Sequence, residues 1–250
     1  MERQTTCYGR KVESRASFHF HGTLFNNIES GGMKLVFSVK SIHIGKPRQL
    51  QMKGKAIQSS IFKESVTSNV MVTSLGIEGD TQSDLVNHGG VDKAICAYPF
   101  EHYPYWERKI KKELEGSAFG ENLTLEGLLE DKIHIGDVFT FGKAIIQVSQ
   151  PRQPCFKLGL KHSEPKLTLW VQETGFTGFY FRVLKEGEVG QKDRLELIER
   201  NPSYPTVHET NLVKYDKNPK VESLKRMSDI PTLSESWKAE FRQRLLRSKK

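Results

Sequence analysis

Between positions 33 and 200 the apolar residues occur in short runs that are separated by glycines and other turn-forming residues. β-branched and aromatic residues are frequent within these runs, which is typical of strands. The runs are LVFSVKSI, the region around IFKESV, VMVTSL, KAICAY, DVFTFG, AIIQVS, GFYFRVL and RLELI. Many short strands with frequent turns predict a mainly β fold, a barrel or a sandwich, rather than a βαβ array.

One helix is predicted to interrupt the strands, over residues 105–115 in the stretch YWERKIKKELE. Pro104 lies at its start, where a missing backbone N–H costs little because the first helical N–H groups have no partner within the helix. The first 32 residues lack sustained periodicity, so we interpret them as an extension that is mobile or loosely docked.

The last fifty residues differ from the β-rich part, because three helix-start signals follow one another closely. Side chains that cap the first N–H groups of a helix favour a helix start at such positions. The signals are Thr206 with Glu209, Asn218 before Pro219, and Thr232 with Glu235, the last helix ending near Arg247. We therefore divide the chain into an extension over 1–32, a β-rich domain over 33–200 and a three-helix domain over 201–250.

Length and composition are those of an ordinary globular protein, with 250 residues, 36% hydrophobic and 27% charged. No apolar run approaches the ~18 residues of a membrane span, and the amino terminus has no apolar leader segment. The three cysteines contain no CxxC pair, which favours a reducing compartment over a disulfide framework. We expect a cytoplasmic protein that is not in a membrane.

The net charge of +8 is concentrated at the carboxyl end. Residues 201–250 hold 11 Lys or Arg against 6 Asp or Glu, a net +5, whereas residues 33–200 hold 23 against 21. A nucleic-acid-binding protein would carry a basic stripe through its main fold. We expect no nucleic-acid partner, and we expect the basic tail to attract an acidic partner instead. The sequence leaves the oligomeric state open.

The stretch QVSQPRQPCFKLG brackets a cysteine with two prolines. Pro151 and Pro154 each fix one φ angle, so Arg152, Gln153 and Cys155 are predicted to lie on a stiff, extended loop. A rigid loop at the end of a strand can present a reactive thiol, and a nearby cation favours the thiolate. The alternative is a turn cysteine with solvated neighbours, and the residues alone do not decide between the two.

The stretch NHGGVDKAICAY places a glycine pair before a predicted strand. Gly89 and Gly90 permit positive φ angles, so successive N–H groups can point into one concavity and hold an anion. His88 and Lys93 would add donors or charge on either side. The alternative is a plain β-turn with a nearby histidine.

Two further residues are weaker candidates. Asn122 in FGENLT offers both a donor and an acceptor, although an asparagine often bonds to its own turn. Lys63 in IFKESV lies on a short predicted strand, where most lysines are solvated. Cys96, inside an apolar strand, is interpreted as a packing residue.

Taken together, these stretches resemble the MOSC family, named after the carboxyl-terminal domain of molybdenum-cofactor sulfurases, in its YiiM-like branch. The residues that carry the resemblance are GDTQSDLVNHGGVDKAICAYPFEHYPYW, FGENLT, IHIGDVF, VSQPRQPC and TGFTGFYFRVL, in that order. The resemblance runs from about Val39 to the end of the chain, because the tail is similar to the small helical domain of this branch. It implies a MOSC-type β-barrel with interspersed helices, followed by a three-helix module.

The resemblance also implies a cofactor, the molybdenum cofactor (molybdenum bound by molybdopterin). By position Cys155 would be the molybdenum ligand and Asn122 would help to hold the pterin. Eukaryotic amidoxime-reducing relatives carry an arginine in the motif that here is Phe-Gly-Glu-Asn, so the phosphate contacts would come from elsewhere. The candidates for cofactor binding are Lys63, His88, Gly89, Gly90, Lys93, Arg152 and Gln153.

Three functions are consistent with this resemblance. The first is an oxidoreductase that reduces N-hydroxylated compounds such as hydroxylaminopurine bases, amidoximes or hydroxylamines. The second is a sulfur-transfer protein with a persulfide on Cys155, and the third is a cofactor carrier without catalysis. A reductase would need an external electron-donor protein, because three scattered cysteines cannot form a Cys₄ iron–sulfur cluster. We expect that donor to dock on the basic face of the tail.

Overall fold

The computed structural model describes residues 34–52, 55–81 and 89–248. The predicted extension over residues 1–32 lies outside the described residues, and so does His88. The described strands are β1 (Val36–Ile44), β2 (Arg48–Met52), β3 (Lys55–Ser59), β4 (Glu64–Val66), β5 (Val70–Thr73), β6 (Gly76–Ile77), β7 (Ile95–Pro99), β8 (Leu123–Glu126), β9 (Val138–Phe141), β10 (Ala144–Pro151), β11 (Phe179–Lys185), β12 (Gly187–Val189) and β13 (Arg194–Glu199).

Seven of these strands form a closed barrel in the order β13-β9-β10-β11-β7-β8-β1, and β1 returns to pair with β13. Neighbouring strands are antiparallel except β7 and β8, which are parallel. Strand β4 extends the sheet beside the end of β1, while β2 pairs with β3 and β12-β5-β6 form a small separate sheet. The predicted mainly β class is therefore confirmed as a barrel.

The inward-facing apolar side chains of the strands form the core of the barrel. Phe139 and Phe141 on β9, Ile146 and Val148 on β10 and Phe181 on β11 are almost completely buried. Each such side chain contributes about 1.5–3 kcal/mol to stability relative to leaving it in water. Burial of one face is what the period-2 pattern predicts, whereas β7 is buried along its whole length.

The described α-helices are α1 (Tyr103–Ile110), α2 (Lys157–His162), α3 (Leu167–Thr174), α4 (Val207–Tyr215), α5 (Val221–Ser228) and α6 (Glu235–Arg247). Short 3₁₀ turns span Val91–Lys93 and Phe100–His102. Helix α1 was predicted over residues 105–115 but ends at Ile110, because Lys111 adopts a left-handed conformation with φ of 54°. Among the described residues, no helix has the length and apolar character needed to cross a bilayer.

The prediction of one helix within the β-rich region was wrong, because α2 and α3 follow Cys155. Their sequences are poor helix signals: α2 is short and contains Gly159, and α3 is rich in β-branched and apolar residues. Tertiary packing decides their structure. Leu158, Leu167 and Val171 are completely buried in a second apolar cluster, beside the barrel core.

The three tail helices form where the sequence predicted them, with one cap confirmed and two corrected. Thr206 and Glu209 make both hydrogen bonds of a capping box at the start of α4. Helix α5 is capped at Lys220 rather than at Asn218, and α6 at Ser234 rather than at Thr232. Each predicted cap lies two residues too early, because a proline or a turn precedes the true first helical residue.

The tail shares its core with the barrel. The buried tail side chains Leu224, Met227, Trp237 and Phe241 belong to the same apolar cluster as Val148 of β10. Trp237 and Phe241 of α6 therefore pack inward against the barrel core. Two tail arginines also have internal partners: Arg244 donates to carbonyls at the end of α4, and Arg242 to one at the end of α5.

Candidate functional site

A pocket at one end of the barrel brings together five of the residues predicted for the site. They are Lys63, Lys93, Asn122, Arg152 and Cys155, which come from four separate stretches of the chain. The other lining residues are Ser59, Ser60, Ile61, Asp80, Thr81, Cys96, Gly120, Lys157 and Tyr180. The thiol loop and the start of the β7 region thus meet at one pocket, although about sixty residues separate them in sequence.

The remaining predicted residues are placed differently. Gln153 is exposed and is not among the pocket-lining residues. Gly89 and Gly90 precede the 3₁₀ turn, and neither lines the pocket. Gly90 has a positive φ of 93°, and its carbonyl accepts a hydrogen bond of 2.9 Å from the N–H of Lys93. Gly90 therefore shapes the turn that places Lys93 at the pocket.

The loop that carries Cys155 is held by backbone hydrogen bonds at both ends. Strand β10 ends at Pro151, and the next N–H, of Arg152, donates to the carbonyl of Gly178 at 3.0 Å. The carbonyl of Cys155 accepts hydrogen bonds from Leu158 N and from Thr168 Oγ1. Cys155 is a free, partly exposed thiol, so the loop presents its sulfur at the pocket surface.

Arg152 is the unusual charge of the pocket. Its residue is only 6% exposed, and its Nη1 has no hydrogen-bond partner. Burial by itself would lower the pKa of the Arg152 guanidinium. The electrostatic effect of the neighbouring Cys96, Tyr180 and Cys155 side chains is larger, and the pKa is raised. A buried donor without a partner costs about 1–3 kcal/mol, and more when it is charged. The pocket therefore favours a ligand that offers a hydrogen-bond acceptor to Arg152, and an anionic ligand most of all.

Asp80 is a residue that the sequence analysis missed. Its carboxylate pairs with Lys63 Nζ at 2.5 and 2.6 Å, and both side chains are almost completely buried. It also accepts hydrogen bonds from Gly45 N at 2.6 Å and from Asn122 Nδ2 at 2.8 Å. A buried carboxylate needs such partners, so Asp80 fixes Lys63 and Asn122 in place. The only indication of Asp80 in the sequence was the turn-forming pair Gly79–Asp80 after a short predicted strand.

The side-chain amide of Asn122 is largely occupied within the protein. Its Nδ2 donates to Asp80 and to the carbonyl of His43 at 3.1 Å, and its Oδ1 accepts from the N–H of Cys96 at 3.1 Å. Only a second lone pair on Oδ1 is left for a ligand. Asn122 thus joins β1, β7 and the Asp80 carboxylate, instead of bonding to its own turn.

Cys96 both packs in the core and lines the pocket. It is 6% exposed, and burial raises its pKa to about 11, in spite of the opposing charge of Arg152. Tyr180 forms a side-chain hydrogen bond with it. At neutral pH the Cys96 thiol is therefore protonated, and the pocket contains one buried neutral thiol and one partly exposed thiol, that of Cys155.

Two family models match parts of the chain. The model of the MOSC domain matches residues 84–196, and that of the YiiM-like 3-alpha helix domain matches residues 205–247. Protein YflK of Bacillus subtilis is 48% identical over 205 residues, which cover 82% of this chain and 93% of YflK. Protein YiiM of Escherichia coli is 39% identical over 194 residues, covering 76% of this chain and 86% of YiiM.

Two further similarities extend to a solved structure and to a fungal protein. The crystal structure of YiiM from Geobacillus stearothermophilus has a TM-score of 0.72 and 39% identity, covering 84% of this chain and 99% of that chain. A protein of Gibberella moniliformis named "Reductase" is 33% identical over 151 residues, 59% of this chain and 27% of that protein. The chain belongs to the MOSC family, in its YiiM-like branch with the C-terminal three-helix domain.

Proposed function

We propose that this pocket binds the molybdenum cofactor and that the protein reduces N-hydroxylated compounds, such as hydroxylaminopurine bases, amidoximes or hydroxylamines. The observation that carries the proposal is the unpartnered Nη1 of buried Arg152 in the same pocket as the partly exposed thiol of Cys155. A cation without a partner favours an anionic ligand, and a thiolate favours a soft metal. The match to the MOSC family and the fungal relative named as a reductase support it further.

The residues present fit the group that the family implies. Cys155 would be the molybdenum ligand, and Arg152 and Lys93 would contact the anionic part of the cofactor. Lys63 is already neutralised by Asp80, so its contribution would be that of a hydrogen-bond donor. Asn122, Gln153 and the turn of His88, Gly89 and Gly90 stay predictions. When bound, the cofactor would supply electron and oxygen-atom transfer, while the protein binds and orients it.

The pocket residues themselves have defined tasks in this proposal. Hydrogen bonds to the carbonyl of Cys155 and from the N–H of Arg152 hold the backbone of the loop that carries the thiol and the guanidinium. Removing the N–OH oxygen as water consumes protons, and Tyr180 and Cys96 are both protonated groups of the pocket lining. They are the candidates to hold a proton or a hydrogen bond beside the substrate.

Metal analysis of gently purified protein tests the proposal. We expect about one molybdenum per chain from cells that make the cofactor, loss of the metal in Cys155→Ala, and reduction of a hydroxylaminopurine with a chemical reductant. Cys96→Ala is the matched control, because it removes the other thiol of the same pocket and should retain the metal. Molybdenum that remains in Cys155→Ala would contradict the ligand assignment.

The same experiment separates the alternatives. The partial exposure of Cys155 also suits a persulfide, which would be found as sulfane sulfur on the Cys155 peptide of a metal-free protein. A non-catalytic carrier would bind molybdenum through Cys155 yet leave the N-hydroxylated substrate unchanged with every reductant tried.

We also propose that a separate electron-donor protein docks on the basic tail. Arg242 and Arg244 hold helix ends, so the test uses Arg247, which is exposed at the end of α6. Arg247→Glu should slow reduction with reductase-containing extract and leave the rate with a chemical reductant unchanged, because exposed charges mainly steer encounter. Equal rates for both proteins with extract would refute docking at this position.

A further inference from the structure

Two contacts join the tail helices to segments of the chain that form the pocket. One contact runs from α4 to the turn that holds Arg152, and the other from the start of α6 to the turn that carries Lys93. The hydrogen bonds of the first contact lie between buried groups, where they are stronger than in water.

The first contact is a chain of three hydrogen bonds. Asn211 Nδ2 on α4 donates to Thr177 Oγ1 at 2.8 Å, and that hydroxyl donates to the carbonyl of Gly178 at 2.9 Å. The same carbonyl accepts the N–H of Arg152 at 3.0 Å. Asn211 and Thr177 are 3% and 0% exposed, so water does not compete for these bonds.

The turn between Thr177 and Gly178 has little room to move. Gly178 has a positive φ of 70°, and a Cβ there would lie 2.4 Å from the carbonyl oxygen of Ala97 on β7. Its N–H donates to Glu130 Oε1 at 2.7 Å, and the backbone carbonyl of Glu130 accepts from His208 N of α4 at 2.8 Å. Helix α4 therefore holds this turn at two points.

The second contact involves Asp92, beside pocket-lining Lys93. Its Oδ2 accepts from Glu235 N, the first residue of α6, at 3.3 Å, and its carbonyl accepts from Ser149 Oγ at 2.5 Å. The carbonyl of Ser149 in turn accepts from Ser234 N, the cap of α6, at 2.9 Å. Ser149 lies on β10, three residues before Arg152.

We infer that the three-helix tail positions the pocket, with Asn211 and Thr177 as positioning residues for Arg152 and the Cys155 loop. The tail is then part of the site's architecture in addition to any role in docking a partner. The inference rests on the proposed function only where catalysis is measured. What it says about structure is that the hydrogen bond from Asn211 to Thr177, between the tail and the barrel, keeps the backbone at Arg152 ordered.

Hydrogen exchange in metal-free protein tests this directly. The measured quantity is the exchange rate of the Arg152 amide divided by that of Val148, an amide on the preceding strand β10 that donates to the carbonyl of Asp137. Global destabilisation accelerates both amides, whereas loss of positioning accelerates only Arg152. We expect the ratio to rise roughly fivefold in Thr177→Val and in Asn211→Ala, the effect of losing about one hydrogen bond.

The matched control is Thr210→Val, an identical substitution at an equally buried position of α4. Thr210 Oγ1 donates only to the carbonyl of Thr206 one turn earlier, so its loss should leave the ratio within about twofold of the starting protein. The double variant Thr177→Val/Asn211→Ala should resemble either single variant, because all three break one chain.

An unchanged ratio in both Thr177→Val and Asn211→Ala would overturn the inference, as would an equal rise in Thr210→Val. Rate per bound molybdenum is the second readout: the two positioning variants should lower kcat, with KM changed less. A protein that never binds molybdenum would defeat the proposed function, but the exchange ratio would still decide this inference, so the two failures are distinguishable.

Discussion

The buried ion pair of Lys63 and Asp80 allows a quantitative test of how the pocket wall is held together. Lys63→Met removes the cation and leaves the Asp80 carboxylate, 6% exposed, with its hydrogen bonds from Gly45 and Asn122 alone. Breaking a buried pair costs about 3–5 kcal/mol, since one charge is left uncompensated. Asp80 keeps two hydrogen-bond donors and lines a pocket that water can enter. The expected loss in the free energy of unfolding is therefore near the lower end of that range, about 3 kcal/mol.

The assay is thermal unfolding followed by circular dichroism, in which about 3 kcal/mol corresponds to a fall in Tm of roughly 6–12 °C for a chain of this size. Arg48→Met is the matched control, because Arg48 pairs with Glu64, the neighbour of Lys63, but both of those side chains are more than half exposed. That control should cost at most about 1 kcal/mol.

Removing both charges gives a second comparison. Lys63→Met/Asp80→Asn leaves no stranded charge, so it should be more stable than Lys63→Met alone. Two results would refute the reasoning: a loss for Lys63→Met no larger than for Arg48→Met, or a double variant less stable than the single one. Either would mean that Asp80 is solvated enough in the pocket to need no partner.

Three further predictions follow from backbone geometry, thiol burial and histidine burial. Gly178→Ala should lower the free energy of unfolding by on the order of 3 kcal/mol, which is more than Gly90→Ala. Both glycines have a positive φ, but only at Gly178 would the new Cβ collide with backbone, the carbonyl oxygen of Ala97. Iodoacetamide at pH 8 should label the Cys155 peptide at least about tenfold faster than that of Cys96, whose burial raises its pKa to about 11. Burial lowers the pKa of His162 in the folded protein, so on acidification this histidine is protonated in the unfolded chain before it is protonated in the folded one. Stability therefore falls as the pH drops below about 6.5. His162→Gln should weaken this fall, measured by urea titrations at pH 7 and pH 5.

Each of these has a clear contrary outcome. Equal destabilisation by the two glycine substitutions would mean that the turn relaxes away from β7. Faster labelling of Cys96 would mean that the pocket floor opens to solvent. An identical pH dependence in His162→Gln would assign the acid sensitivity to other groups.

The sequence alone determined the fold class, because it depends on local patterns. Period-2 runs bounded by glycine specify strands wherever one face is buried, and the pairing of Thr206 with Glu209 specifies a helix start through two hydrogen bonds within four residues. The thiol loop was likewise visible, since Pro151 and Pro154 restrict the backbone whatever surrounds them.

Only the tertiary structure decided what depends on contacts distant in sequence. Helix α3 forms because Leu167 and Val171 are buried against another cluster, although its own composition favours a strand. Asp80 and Asn122 acquire their partnership across forty-two residues, and Arg152 becomes an unpartnered buried cation only when the barrel closes. A sequence shows which charges exist, but burial and partners, which set what a charge can do, arise from packing of the whole chain.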